Sequence, residues 1–109
     1  MPKFMILYRS GMGASERMAN ATPEEMQASM GEWMKWSKSL PEGVTLEWGM
    51  PLQIRHHFGA EAAASGVTGY SILEAEGKDA VHAAIESHPH LKDEGASIDA
   101  LELLLMPGM

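Results

Sequence analysis

The sequence predicts an α+β fold in which a β-α-β-β-α-β order makes one four-stranded antiparallel sheet with two helices on one face. Three observations point there. Apolar runs of strand length alternate with two segments of helical period, capping residues and prolines mark the helix boundaries, and the first and last runs are apolar on both sides of the pleat. At 109 residues there is material for one core and hence one domain.

The first strand is expected over residues 3–9, with Phe4, Ile6 and Tyr8 on one side and Met5 and Leu7 on the other, so that both faces need cover. Residues 10–21, SGMGASERMANA, read as a loop of small residues. At its end Thr22-Pro23-Glu24-Glu25 supplies an N-cap, a proline at the first helical position, and a glutamate placed to close a capping box. The helix should run to about Ser39. Met26, Met30, Trp33, Met34 and Ser37 recur at steps of three and four and predict its buried stripe, which Trp36 and Leu40 widen.

Pro41-Glu42-Gly43 breaks that helix, and residues 44–58 read as a strand interrupted near Gly49-Met50-Pro51. Residues 59–66, GAEAAASG, form a connector, and residues 67–76 the third strand. Gly77-Lys78-Asp79 opens a second helix that turns Ala80, Val81, Ala84, Ile85 and His88 to one face and His82 and Glu86 to solvent. Pro89 stops it, because the residue before a proline is pushed out of the helical region. Residues 97–106 predict the last strand, with Ala100, Leu104 and Met106 on one side and Leu101, Leu103 and Leu105 on the other.

This order is that of a ferredoxin-like sandwich, whose helices cover one sheet face only. The other face would expose more apolar surface than a monomer normally carries, and burying it is favourable by about 25 cal/mol per Å2. The expectation is a homodimer that packs sheet on sheet.

Composition excludes several classes. Eight Lys and Arg against fifteen Asp and Glu give a net charge of −7 with no basic run, which argues against nucleic acid. The absence of cysteine removes disulfides, thiolate metal sites and thiol catalysis. The apolar run at the N-terminus has the length of a strand and no cleavage pattern after it, so neither a signal peptide nor a membrane span is read, and the residues fit a cytoplasmic protein. Ten methionines are expected to fill core or interface.

The topology gathers polar residues at one end of the sheet: Tyr8 and Arg9, His56 and His57, Thr68 to Tyr70, His88, and Ser97 with Asp99. His88 stands at a helix C-terminus, where partial negative charge favours imidazolium, and Asp99 could hold one of its ring nitrogens as an acid–base partner. The plainer alternative is that His88 caps its helix and Asp99 faces water. Arg9 could bind a carboxylate or pair with a neighbouring acid, with Arg55 a weaker candidate, and the Tyr70 hydroxyl could meet a ligand oxygen or a loop carbonyl. A metal site built from His88, His90, His56 or His57 with an aspartate has no specific spacing, and neither metal nor cofactor is expected. Trp33, Trp36 and Trp48 read as core or interface.

The segments KFMILYR, TPEEMQASMGEWMKW, GYSILEA, SHPHL and SIDALELLLMPGM together resemble the YCII-related proteins, including the branch named for a DGPF motif. The similarity spans nearly the whole chain, and Gly69-Tyr70-Ser71-Ile72 and His88-Pro89 are its most specific parts. The resemblance implies a dimeric α+β barrel, usually cytoplasmic and mostly without assigned activity, with at least one relative that removes chloride from an aromatic breakdown intermediate. Some members carry a histidine in the first helix and an aspartate before the proline; the matching places here are Trp33 and His88. The DGPF sequence is absent, with Gly66-Val67-Thr68-Gly69 nearby.

The functional expectation is a lyase or isomerase acting on a small anionic or oxygenated substrate. His88 would move the proton, Asp99 would orient it, and Tyr70, Arg9, His56 and Ser97 would bind. The alternative is a non-catalytic dimeric module that binds a metabolite or a protein.

Overall fold

A computed structural model describes residues 1–11, 14–60 and 66–108. The chain is α+β, with a four-stranded sheet in the order β2-β3-β1-β4 and every neighbouring pair antiparallel. Its elements are β1 (Lys3–Arg9), α1 (Ala14–Asn20), α2 (Pro23–Lys38), β2 (Thr45–Pro51), β3 (Val67–Glu74), α3 (Lys78–Ile85) and β4 (Ser97–Glu102), with a 3-10 turn at Pro89–Lys92. This order and the helix layer are compatible with a ferredoxin-like arrangement.

Local chemistry explains the boundaries. The Thr22 hydroxyl accepts from the Glu25 amide at 3.1 Å while the Glu25 carboxylate accepts from the Thr22 amide at 3.3 Å, which is the capping box in full. Trp36 is the buried residue of α2; its indole N–H donates to the Ala84 carbonyl at 2.8 Å and so ties α2 to α3. His88 has φ −64° and ψ 132°, the extended conformation that Pro89 imposes, and α3 has ended by Ile85.

The core lies between one sheet face and the helices. Phe4, Ile6, Tyr8 and Leu73 meet Trp36, Val81 and Ala84 there, with Ala75 buried just beyond β3. Ile6 and Leu73 are fully buried, a burial that stabilises by about 1.5–3 kcal/mol for each such side chain. Strand register puts Met5, Leu7 and Arg9 of β1 beside Ile72 and Tyr70 of β3 and Leu101, Asp99 and Ser97 of β4 on the opposite, helix-free face. Among the described residues no helix is long and apolar enough to cross a membrane.

Several expectations need correcting. The loop over residues 10–21 contains the seven-residue helix α1, since ASERMAN is mostly good helix formers whose short length hides any period. The methionines of α2 are not core: Met26, Met30 and Met34 are exposed, because the first half of α2 stands off the sheet, and it is Trp36, with the partly buried Trp33, that reaches the buried layer. The second strand ends at Pro51 rather than near residue 58, and the last ends at Glu102, after which Leu103 keeps one backbone bond to Lys3 (2.9 Å) and Leu104 and Leu105 are exposed. The expected connector at residues 59–66 lies largely outside the described residues.

Candidate functional site

A cleft of about 690 Å3 opens where α1 and the first half of α2 part from the sheet. Its origin is local. Gly69 contributes no side chain to the inward row of β3, and the pairing of β2 with β3 slips between Trp48 and Pro51, which turns the edge strand away. Gly49, inside that irregular stretch, lies so close to β3 that a Cβ there would stand 2.2 Å from the Tyr70 carbonyl oxygen.

The floor and walls are aromatic. Tyr8 and Trp33 approach to 4.8 Å between ring centroids, and Trp33 stacks on Trp48 at 6.2 Å with 28° between their planes. His90 packs edge-on to Tyr8 at 5.3 Å. Met18, Met26, Met30 and Met50 line the same cleft and add flexible, polarisable surface that adapts to ligand shape. Polar groups at the cleft include Glu25, Ser29 and an ion pair in which the Arg17 guanidinium donates to the Asp93 carboxylate at 2.6 Å.

The Tyr8 hydroxyl and the Ser71 hydroxyl are 2.7 Å apart, both buried. Burial pushes the Tyr8 phenol up to about 12 against the opposing effect of the Ser71 hydrogen bond, so Tyr8 stays protonated and acts as wall and hydrogen-bonding group, not as a base.

The two histidines flanking Pro89 have separate environments. His88 is 1% exposed, enclosed by Trp36 (4.2 Å), Trp33 (4.5 Å) and Tyr8 (5.0 Å). Burial, helped by the neighbouring His90, lowers it to about 4, so it is neutral at ordinary pH, contrary to the imidazolium expected from its helix-end position. Its Nδ1 accepts the His90 backbone N–H at 3.0 Å, which puts the ring proton on Nε2; that nitrogen has no hydrogen-bond partner among the described residues. His90 lines the cleft. Its Nε2 pairs with the Arg9 carbonyl at 2.8 Å and must be the donor, so in a neutral ring Nδ1 is the acceptor.

The expected His88 and Asp99 partnership is not what the fold builds. Asp99 shares the helix-free face with Leu7, its register partner, and takes the Arg9 Nε–H at 2.6 Å, whereas His88 is buried on the helix side. The sheet stands between them. Arg9 and the exposed Ser97 belong to that same outer face, so neither lines the cleft. His56 falls beyond β2, exposed, with its ring near Phe58 at 6.2 Å, and His57 meets the Ala60 carbonyl at 2.7 Å. Tyr70 is at the cleft border, but register gives its side chain to the outer face, where the ring lies against Gly49. Arg55 borders a second cleft of about 380 Å3 with Ser10, Gln53 and Thr68. Among the described residues no three His, Asp or Glu side chains come together as metal ligands would.

The groups that sequence reasoning left out of the site are Trp33, Trp48, His90, Arg17 and the wall role of Tyr8. Tyr8 was legible as the last member of the inward row Phe4, Ile6, Tyr8. Trp33 was legible as a member of the periodic stripe of α2 but not as a cleft wall, His90 lies on the 3-10 turn after Pro89, and Arg17 and Trp48 depend on α1 and on the irregular end of β2, neither of which leaves a periodic signal. Compared with known proteins, the chain matches no family model and no curated protein.

Proposed function

We propose that this protein binds a small, planar and mostly apolar molecule in the cleft between α2 and the sheet. The observation that carries the reading is the cleft itself: about 690 Å3, within the range of small-molecule sites, and walled by Tyr8, Trp33, Trp48 and four methionines. Indole titration followed by calorimetry tests it. Trp48→Ala, which removes a half-exposed wall residue and spares the core, should weaken binding about tenfold. Unchanged affinity in the variant would defeat the reading.

A second reading, proton transfer to or from the bound molecule, is favoured by His90, a largely buried imidazole that lines the cleft and whose Nε2 is held by the Arg9 carbonyl. His90 replaces His88 as the acid–base candidate, and a lyase or isomerase step would be its use. The test is solvent deuterium exchange into a bound carbon acid, lost in His90→Gln and retained in Asp99→Asn.

The working unit in this proposal is a cytoplasmic homodimer of YCII-related type, joined through the helix-free face. The protomer exposes 7906 Å2, against about 5,900 Å2 for a compact monomer of 11.9 kDa. Its radius of gyration is 15.0 Å, where about 13 Å is usual for this length. The excess area is of the order that a stable homodimer buries. Leu101 and Leu103, each 48% exposed, extend the apolar band of Met5, Leu7 and Ile72. Sedimentation should give a dimer at micromolar concentration and a monomer for Leu101→Asp; a wild-type monomer would remove this part of the proposal.

A further inference from the structure

Resting on the reading of the cleft as a ligand site, we propose that the molecule it takes is a protonated amine carried on an aromatic or apolar body. Three features of the lining agree on a positive ligand charge.

The first is the balance of charged groups. Glu25 and Asp93 face the cleft against the single guanidinium of Arg17, and Arg17 is already paired with Asp93 at 2.6 Å. No lysine is among the lining residues. An anion entering here would have to take Arg17 from Asp93 and would still meet Glu25. A cation meets the exposed carboxylate of Glu25, one oxygen of which accepts the Thr22 amide at 3.3 Å.

The second is the wall. Tyr8, Trp33 and Trp48 line the cleft, Trp48 being the most exposed of them at 46%, and an aromatic face attracts an ammonium group and is indifferent or repulsive to anions. The third is His90. With the Nε2–H committed to the Arg9 carbonyl, the Nδ1 of a neutral ring is an acceptor, and an ammonium N–H is a donor that matches it. The net charge of −7 draws cations toward the surface as well.

The experiment compares three probes with one phenyl ring and different tails: 2-phenylethylamine, 2-phenylethanol and 3-phenylpropionate. Each is titrated into the full-length protein at low ionic strength with Trp fluorescence and calorimetry as readouts. The amine should bind about tenfold more tightly than the alcohol, and the acid more weakly than both. Glu25→Gln, which preserves the capping box because glutamine serves there equally, should reduce amine affinity several-fold and leave the alcohol unchanged. Asp93→Asn should weaken the amine and strengthen the acid, since it releases Arg17.

If the alcohol or the acid binds as tightly as the amine, the charge assignment is overturned while the cleft remains a binding site. If no probe binds, the cleft reading falls and this inference falls with it.

Discussion

The buried His88 makes the protein sensitive to mild acid in a calculable way. Folded, His88 titrates at about 4; unfolded, its ordinary value is about 6.5. Between those values the unfolded chain binds the proton and the folded chain does not, so stability rises with pH through the window. The contribution is complete above about 6.5 and is lost progressively as pH falls toward 4. The full displacement corresponds to about 3 kcal/mol, and residual solvent screening one layer behind an open cleft reduces this to about 2 kcal/mol. Against a domain stability of about 5–15 kcal/mol that is a large loss.

The assay is urea unfolding at intervals from pH 7.5 to pH 4, for the wild type and for His88→Asn. The asparagine carbonyl can replace Nδ1 as acceptor for the His90 amide, so the turn keeps its cap, while the smaller side chain lowers stability at every pH without titrating. Carboxylates titrate in both proteins and cancel in the difference. The wild type should lose about 2 kcal/mol more than the variant over this range. Parallel pH curves would refute the argument and imply that His88 reaches solvent in the native state.

Three further outcomes follow from the fold. Gly49→Ala places a methyl 2.2 Å from the Tyr70 carbonyl oxygen, so β2 must move; a loss of about 2 kcal/mol or more in denaturant midpoint is expected, with weaker probe binding because the cleft edge shifts. Asp99→Asn removes an ion pair whose members are 27% and 48% exposed, and should cost less than about 1 kcal/mol while leaving cleft binding unaltered. Thr22→Ala removes the hydroxyl of the capping box and should cost about 1 kcal/mol by the same unfolding assay.

What was legible in the sequence was governed by short-range rules. The capping box at Thr22 and Glu25 and the two-sided β1 each follow from a few adjacent residues and stand where expected, while the stop expected at His88-Pro89 comes earlier, α3 ending at Ile85 with His88 already extended. The β-α-β-β-α-β core of the order followed from them, with α1 as the addition. The site was less legible because it depends on which face a residue takes after long-range pairing. Asp99 fails as the partner of His88 through strand register alone, being opposite Leu7 and therefore on the outer face. His56 fails because β2 ends at Pro51, so the second strand never carries it to the sheet end. The α2 methionines have helical period, yet period gives a shared face and not what that face meets. Here it meets the cleft and solvent, and the chain uses Trp36 as its buried anchor.

Backbone amide shifts during titration with 2-phenylethylamine test the central claim most directly. The account predicts that the residues that move are those around the cleft, led by Met30, Trp33, Trp48, Gly69 and His90, with Leu101 and Asp99 on the outer face unmoved. Shifts concentrated on Met5, Ile72, Asp99 and Leu101 with the cleft residues silent would contradict it, and would put the ligand on the helix-free face instead.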